Sequence, residues 1–358
     1  RKISKQIDTV CRLMKLDKSW QSRKLSGGQK QRLITASTLA MGQKIVILDE
    51  PLANLDTAGA EMLMSTLKSL AKAGYCIIVI EHRLDVVLPF VDKVFHVGNR
   101  NVNEITDREN YLKEQSTEIE DTCSTFSGTL PAFSLADVAF AVKERDILNG
   151  VTFDILKGSR TVLLGENGCG KTTLLRLISR LEKPTRGVIL QNIDDKFGQK
   201  SKQSKKWYKK VGVVYQNPDY QLFMQTVEKE IKFGAKSDEY ADEIAEKFGI
   251  KHLYARHPQS LSEGQKRRVS IAAVVATDPE VLILDEPTVG QDYKGLCEMV
   301  EVLNKLHEEA HNTMITVTHD KRCAAALCDK SVWIKNGKTY KTGGKELVDE
   351  FFIQIGVN

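Results

Sequence analysis

The segment from residue 161 to residue 177 reads TVLLGENGCGKTTLLRL: an apolar run, a glycine-rich stretch with a lysine, and an amphipathic continuation. Its glycines allow backbone N–H groups to turn toward phosphate oxygens, and a helix beginning after them adds a favourable dipole. Lys171 would bring a positive charge to the β- and γ-phosphates, and Thr172 would offer its hydroxyl to Mg²⁺. The predicted nucleotide-binding residues here are Gly165, Glu166, Asn167, Gly168, Cys169, Gly170, Lys171, Thr172 and Thr173.

Further along the chain, one apolar run ends in two carboxylates and another ends in a histidine. VLILDE is continuously apolar up to Asp285 and Glu286, which is typical of a parallel strand buried on both faces. Following a phosphate loop, Asp285 is predicted to hold the water shell of Mg²⁺ and Glu286 to polarise the attacking water. His319 ends the run MITVTH and is predicted to contact the γ-phosphate. All three roles require strands that end beside the phosphate loop.

The chain contains these motifs twice. LSGGQ at position 25 recurs as LSEGQ at 261, and IVILDEP at 45 recurs as VLILDEP at 281, so both are 236 residues apart. Asp56 recurs at the same spacing as Asp292, and His82 recurs as His319 after one inserted residue. The repeat predicts two related domains, of which the first copy begins partway through what the second contains in full.

The expected domain boundaries follow from this repeat. Residues 1–114 are interpreted as the C-terminal part of a first domain, and residues 133–358 as a complete second domain. The stretch 115–132, QSTEIEDTCSTFSGTLPA, is rich in serine, threonine and acidic residues and lacks apolar periodicity, so it is predicted to be a linker.

Composition excludes several classes of protein. With 358 residues, 41% apolar and 28% charged, the chain fits two globular domains. The net charge of +5 is too small to indicate nucleic-acid binding by itself. The apolar runs are strand-sized, below the roughly 18 residues of a membrane-spanning helix. Seven cysteines without CxxC spacing favour reduced thiols in the cytosol, and a start at Arg1 without a targeting segment is interpreted as a truncation.

The phosphate loop, LSGGQ-type signature, carboxylate-ended strand, D-loop and histidine together resemble the ATP-binding cassette (ABC) ATPases over nearly the whole chain. Within them, VGVVYQNPDYQLFMQTVEKEIKFG (211–234) and EHRLD resemble the energy-coupling factor ATPases, in particular the tandem forms. The resemblance implies an α/β P-loop fold with a doubly wound, mainly parallel sheet and an antiparallel β subdomain. It also implies a helical subdomain between Gln216 and Leu261, and an incomplete first copy.

The resemblance implies ATP and Mg²⁺ as cofactors, with Gln216 sensing Mg²⁺ and the lytic water. Asp56 and Asp292 would be the D-loop aspartates. The partners implied are an integral-membrane coupling subunit, facing the residues through Phe223 and Met224, and a substrate-binding membrane subunit. The expected location is the cytoplasmic face of the cell membrane, energising import of a vitamin, a precursor or a metal ion. No nucleic acid is expected.

In this family two cassettes pair head to tail. The resemblance therefore implies that the two domains pair within one chain, and that the phosphate loop of the second copy meets the signature of the first, which comprises Ser26, Gly27, Gly28 and Gln29. One ATP site is expected. Three residues of the first copy are expected to lack a nucleotide beside them: Asp49, Glu50 and His82.

Some positions depart from the family pattern. Val142 stands where an aromatic residue usually stacks on adenine, and Glu263 stands where the first copy has Gly27. Cys169 lies next to a lysine at a helix N-terminus, which suggests either a small residue that fits or a thiolate that makes the ATPase sensitive to alkylation. The lysine-rich stretch 196–210 is interpreted as a solvated edge of the antiparallel subdomain, or alternatively as a contact with anionic headgroups. Nucleic-acid binding comes third, since only Trp207 and Tyr208 interleave with the lysines.

Two other functions remain open from the sequence. A soluble cassette ATPase acting on ribosomes or DNA would share the motifs, although those relatives carry long charged helical linkers or arms. A non-hydrolysing regulatory module would be compatible with Val142 and the missing front of the first copy.

Overall fold

The computed structural model describes residues 2–25, 27–52, 55, 57–98, 100–115, 119, 126–143, 145–193 and 205–356. The chain forms two compact units, Arg1–Thr117 and Glu118–Asn358. Half of the expected linker, residues 116–118 and 120–125, lies outside the described residues. Its first residue, Gln115, ends a helix, and its last two residues begin a strand at Pro131.

The first unit consists of α1 (Lys2–Leu13), α2 (Gly27–Ala40), β1 (Ile45–Asp49), α3 (Thr57–Lys72), β2 (Cys76–Ile80), α4 (Leu84–Val87), β3 (Phe95–Gly98), β4 (Asn101–Glu104) and α5 (Arg108–Gln115). β1 and β2 pair in parallel, and β3 and β4 pair antiparallel. Helix α3 packs on one face of the β1–β2 pair, where its leucines join the apolar core with Val46 and Leu48.

The second unit has more elements. They are β5 (Pro131–Val142), β6 (Arg145–Leu156), β7 (Arg160–Leu164), α6 (Lys171–Ile178), β8 (Arg186–Gln191), α7 (Lys205–Lys210), β9 (Val211–Val214), α8 (Val227–Lys232), α9 (Asp238–Lys247), α10 (Glu263–Val275), β10 (Val281–Asp285), α11 (Tyr293–Ala310), β11 (Thr313–Val317), α12 (Lys321–Ala326), β12 (Lys330–Lys335), β13 (Lys338–Gly343) and α13 (Lys345–Gln354).

A six-stranded sheet in the order β13-β12-β7-β11-β10-β9 forms the centre of the second unit, and only the β12–β13 pair is antiparallel. β7, β10 and β11 are buried at every residue, which agrees with their largely apolar sequences. A separate antiparallel sheet, β6-β5-β8, shares an apolar core with α6. The predicted α/β fold with an antiparallel subdomain is confirmed.

The helices between β9 and β10 begin at polar caps. Thr226, Ser237 and Ser262 each accept a hydrogen bond from a backbone N–H in the first turn of α8, α9 and α10, respectively. Buried apolar residues of these helices pack together in one cluster with the apolar side chains of α11. Two of these helices, α8 and α9, lie between Gln216 and Leu261, where the helical subdomain is expected, whereas α10 begins after Leu261.

Every helix and strand of the first unit has a counterpart 236 or 237 residues later. In the second unit, β7 lies between the counterparts of β2 and β3, which are β11 and β12. Within the described residues, β2 and β3 pair with no strand other than β1 and β4, respectively. The first unit therefore has an open strand position where the second unit has the strand of its phosphate loop.

The open position has a second consequence for the first unit. Ile45, Ile47, Ile78 and Ile80 are 64%, 62%, 47% and 50% exposed, so one face of the β1–β2 pair is uncovered. The equivalent residues of the second unit, Val281, Ile283, Ile315 and Val317, are at most 2% exposed and share a core with α6. The same strand sequence is thus buried on both faces in one unit and on one face in the other.

A matched pair of substitutions tests this difference. Ile283→Ala should lower the free energy of unfolding of the second unit by about 2–5 kcal/mol, because it leaves a cavity in a closed core. Ile47→Ala should change the first unit by about 0.5 kcal/mol or less, as for other exposed positions. Urea denaturation read separately in each unit by amide hydrogen exchange measures both, and equal losses would contradict the exposed face.

Candidate active site

Four motif segments of the second unit meet at one edge of its sheet. The phosphate loop follows β7, His319 follows β11, Asp285 and Glu286 end β10, and Gln216 follows β9. These four strands are neighbours and parallel, so their carboxyl ends lie at the same edge. This is where open α/β sheets bind ligands.

The phosphate loop has the backbone that its glycines predict. Gly165, Gly168 and Gly170 have φ values of 151°, 81° and 106°, a region that favours glycine. The buried ammonium group of Lys171 donates hydrogen bonds to the carbonyl oxygens of Gly165 at 2.5 Å and Glu166 at 3.0 Å. Its charge is therefore held on the loop itself, at the first turn of α6.

A pair of oxygen donors lies beside the loop. The Thr172 hydroxyl donates to Asp285 Oδ2 at 3.2 Å, across two elements far apart in sequence. Burial raises the pKa of Asp285, whereas Thr172 and the charge of Lys171 oppose that rise. No group of three or more His, Cys, Asp or Glu side chains in the described part of the chain could hold a metal ion. A hydroxyl and one carboxylate fit Mg²⁺, which takes its other ligands from phosphates and water.

Glu286 has a strained backbone and an unusual pKa. Its φ is 55°, and its N–H donates to the Val317 carbonyl at 2.8 Å, which fixes it to the end of β11. Burial, and then the neighbouring charge of Asp285, raise the pKa of Glu286 to about 8. The Glu286 carboxyl accepts a hydrogen bond from the His319 backbone N–H at 3.2 Å, and His319 Nε2 lies 3.4 Å from Oε1. The predicted base and histidine are thus in contact.

Gln216 lies two residues beyond β9, on an exposed segment beside the end of β10. A residue that the sequence analysis missed holds this segment. Arg267, on α10, donates to the backbone carbonyl of Tyr215 at 2.7 Å and to that of Gln216. The sequence contains one signal for it: Arg267 stands in LSEGQKRR where the first copy, in LSGGQKQR, has Gln31.

The first unit repeats the local geometry of the carboxylate. Glu50 has a φ of 43°, and its N–H donates to the Ile80 carbonyl at 2.9 Å, while His82 Nε2 lies 3.4 Å from its Oε1. Asp49 ends β1 as Asp285 ends β10. The hydrogen bond from His82 lowers the pKa of Glu50, whereas burial raises that of Glu286. The two sites share a backbone and differ in environment.

The signature and D-loop residues begin helices. Gly27, Gly28 and Gln29 are in the first turn of α2, whereas Ser26 and Asp56 lie outside the described residues. In the second unit, Ser262 and Gln265 form a capping box at the start of α10. Asp292 caps α11 by accepting a hydrogen bond from the Gly295 N–H at 2.7 Å. A helix cap therefore explains Asp292 without any catalytic role.

The thiolate hypothesis for Cys169 is wrong. Burial raises the pKa of this thiol, and the opposing effect of Lys171 is smaller. A Cβ added to Gly165 would lie only 2.5 Å from the Sγ of Cys169, so the cysteine side chain fills the inside of the loop. Val142, the candidate adenine neighbour, ends β5 and is 48% exposed, which leaves a surface available for a base.

The lysine-rich stretch is only partly described, since residues 194–204 lie outside the described ranges. In α7, Trp207 is buried, its Nε1 donates to Gln191 Oε1 at 2.8 Å, and the Arg180 guanidinium lies over its ring. Lys210 pairs with Glu280 at 2.7 Å. Trp207 is therefore a core residue and is not presented for stacking on nucleic-acid bases.

Comparison with known proteins agrees with this site. A family model described as "ABC transporter" matches residues 2–53 and 148–289. A putative HMP/thiamine import ATP-binding protein of Bacillus subtilis, YkoD, is 32% identical over 347 residues, covering 85% of this chain and 63% of the relative. A putative ABC transporter ATP-binding protein of Methanosarcina mazei is 30% identical over 370 residues, covering 98% of this chain and 73% of that protein. The chain belongs to the ABC transporter family.

Solved structures show the same fold. CbiO1 from Clostridium perfringens, described as part of the ABC transporter complex cbiONQ, has a TM-score of 0.55 and 32% identity, covering 62% of this chain and 92% of its own. The cassette MJ0796, in a dimeric post-hydrolysis state bound to ADP and Pi, has a TM-score of 0.53 and 26% identity, covering 60% and 98%. The second unit has the fold and motif residues of an ABC ATPase. The chain spans less than two thirds of the YkoD length, 63%.

The raised pKa of Glu286 predicts a pH dependence of stability. The folded site keeps the carboxyl protonated up to about pH 8, whereas the unfolded chain releases that proton near the ordinary value of 4.5. Between these values the folded state binds the extra proton, so stability falls as the pH rises, by at most about 1.4 kcal/mol per pH unit. Glu286→Gln should flatten this fall.

Urea denaturation at several pH values, followed by the fluorescence of Trp207 and Trp333, measures the stability of the second unit. A Trp20→Phe background removes the signal of the first unit. The same decline with pH in the wild type and in Glu286→Gln would contradict the assignment.

Proposed function

We propose that this chain is the ATP-hydrolysing subunit of an importer of the energy-coupling factor type, and that the second unit contains the site that turns over. The observation that carries the proposal is the meeting of Lys171, Asp285, Glu286 and His319 with the glutamine segment at one sheet edge. A binding module without chemistry would not need a buried carboxylate in contact with a histidine.

The surroundings of each side chain are compatible with one role in ATP binding or hydrolysis. Lys171 and the loop N–H groups bind the β- and γ-phosphates. Thr172 and Asp285 would hold Mg²⁺, which when bound supplies positive charge to the phosphates. Glu286 would orient and polarise the attacking water, and its contact with His319 supports a role for that histidine at the γ-phosphate. Gln216, which follows the neighbouring strand β9, would contact the attacking water and the Mg²⁺.

The signature of the first unit would close this site. Ser26, Gly27, Gly28 and Gln29 are proposed to contact the γ-phosphate held by the second unit. The dimeric post-hydrolysis state of MJ0796 supports pairing of two cassettes around a nucleotide. A covalent connection gives the two units an effective concentration of roughly millimolar for a flexible tether, so pairing within the chain is favoured over pairing between chains.

We further propose that a complete first cassette has a strand between β2 and β3. A parallel strand followed by a phosphate loop and a helix would cover Ile45, Ile47, Ile78 and Ile80, as β7 and α6 do in the second unit. YkoD, of which this chain spans 63%, is long enough to contain such a segment. With that segment, Asp49, Glu50 and His82 would form a second ATP site opposite LSEGQ.

An exposed aromatic surface after the glutamine segment fits a membrane partner. Tyr220, Phe223 and Phe233 are 80%, 67% and 59% exposed, and the last two rings pack edge to face at 5.4 Å. The buried Glu230 carboxylate accepts hydrogen bonds from the Phe223 and Met224 N–H groups at 2.9 and 2.7 Å, which fixes the surface. We assign it to the coupling subunit.

Location and substrate follow from that partner. Helices long and apolar enough to cross a bilayer are absent from the described part of the chain. We propose that the protein is held at the cytoplasmic face of the membrane by the coupling subunit. The HMP/thiamine relative and the cbiONQ complex support a vitamin, a precursor or a metal ion as cargo. Selection among them would lie in a separate membrane subunit.

ATP turnover tests the enzymatic part of the proposal. Glu286→Gln should bind one ATP per chain with wild-type affinity and lose turnover by about 10²–10⁴-fold, because it removes the group that polarises water. Phosphate release and equilibrium binding measure the two effects. Glu50→Gln is the matched control and should leave turnover unchanged. Unchanged hydrolysis by Glu286→Gln, or two tight ATP sites per chain, would contradict the assignment.

Binding of the coupling subunit tests the transport part. Phe223→Ser should weaken binding to the detergent-solubilised coupling subunit by about tenfold or more, because truncation of an aromatic anchor costs about 2 kcal/mol or more. Its basal ATP turnover should equal the wild type. Tyr340→Ser, which removes a comparably exposed aromatic (56%) from β13, is the control. Equal affinities of the two variants would rule out this surface.

A further inference from the structure

Two adjacent side chains of the signature helix reach the glutamine segment of the same unit. The Arg267 guanidinium is 2% exposed and donates to two successive backbone carbonyls, those of Tyr215 and Gln216. Lys266 donates to Asp219 Oδ1 at 2.9 Å. Helix α10 is therefore tied to the segment 215–219 at two points, each through a buried side chain.

Packing alone does not explain a guanidinium at this position. Its Nε has no hydrogen-bond acceptor among the described residues, and burial lowers the pKa of Arg267. The charges of Glu286 and Asp285 oppose that shift, which places both carboxylates within electrostatic reach of Arg267. The first unit builds the equivalent helix with Gln31. The helix thus forms without the charge.

We propose that Arg267 is a positioning residue for ATP hydrolysis, which fixes the backbone of Gln216 beside the catalytic carboxylates. This inference rests on the proposed function of the second unit. Its guanidinium holds the carbonyls of the two peptide bonds that flank the Gln216 Cα, so the Gln216 side chain extends from an anchored backbone. A lysine at position 267 would keep the positive charge without the planar guanidinium, and a glutamine there would keep one NH₂ donor group without the charge.

The same contact connects two motifs. Arg267 lies five residues after Ser262, the cap of the LSEGQ turn, on one continuous helix. A displacement of the signature turn would therefore move the carbonyls that Arg267 holds, and with them Gln216.

Three variants test the proposal. Arg267→Gln should lower kcat by about 10 to 100-fold through misplacement of Gln216, with the KM for ATP within about twofold of the wild type and a higher half-saturating Mg²⁺ concentration. The values for Arg267→Lys should lie between those of Arg267→Gln and those of the wild type. Arg268→Gln is the control: the neighbouring Arg268 pairs with Glu298 on α11 at 2.7 Å, so this variant should leave all three values unchanged.

Hydrogen exchange separates this inference from the proposed function. The amides of residues 215–217 and 219 should exchange faster in Arg267→Gln than in the wild type, whether or not the wild type hydrolyses ATP, while the exchange of β10 stays the same. A wild type without turnover would refute the proposed function alone. Unchanged exchange at 215–219, or an equal loss of kcat in Arg268→Gln, would overturn the positioning role. If Arg267→Gln unfolds, Arg267→Lys is judged by the same criteria.

Discussion

The site depends on the pairing register of one strand. β10 pairs in parallel with β9 on one side, through Leu284 and Val214, and with β11 on the other, through Asp285 and Val317. This register brings Gln216, Asp285 and His319 to the same edge. Because side chains alternate along a strand, a slip of one residue would turn Asp285 to the opposite face and detach Glu286 from the Val317 carbonyl. The buried apolar residues on both faces of β10 prevent such a slip.

The two copies of the carboxylate site show which features depend on a short segment and which depend on the surrounding core. Glu50 and Glu286 have the same positive φ and the same hydrogen bond to the next strand, so the local sequence and one parallel pairing suffice for that backbone. Their pKa values move in opposite directions, because only Glu286 is fully enclosed and adjacent to a buried, charged Asp285. The chemistry of the carboxylate therefore comes from elements far away in sequence.

The sequence predicts most of this fold and the chemical groups of its site. The phosphate loop, the carboxylate-ended strand and the histidine are continuous patterns, and the repeat fixes their equivalence. Of the two hypotheses for Cys169, the thiolate failed, since sequence proximity to Lys171 and a helix N-terminus gives no measure of burial, which dominates the pKa of this thiol. Trp207 was considered for stacking on bases, although it is a core residue that binds Gln191. Arg267 was missed because its acceptors are backbone carbonyls, which no side-chain pattern reveals.

The two signatures, LSGGQ and LSEGQ, differ in their electrostatics, and ion pairs within the second unit account for part of the difference. In LSEGQ, the Glu263 carboxylate pairs with Lys266 at 3.3 Å, and Lys266 also binds Asp219. A negative charge that would oppose a nearby phosphate is thus partly neutralised within its own unit. Gly27 places no side chain in the corresponding turn, so LSGGQ requires no such compensation to approach a phosphate. The signature of the first unit is therefore better suited electrostatically to approach a phosphate than the signature of the second unit.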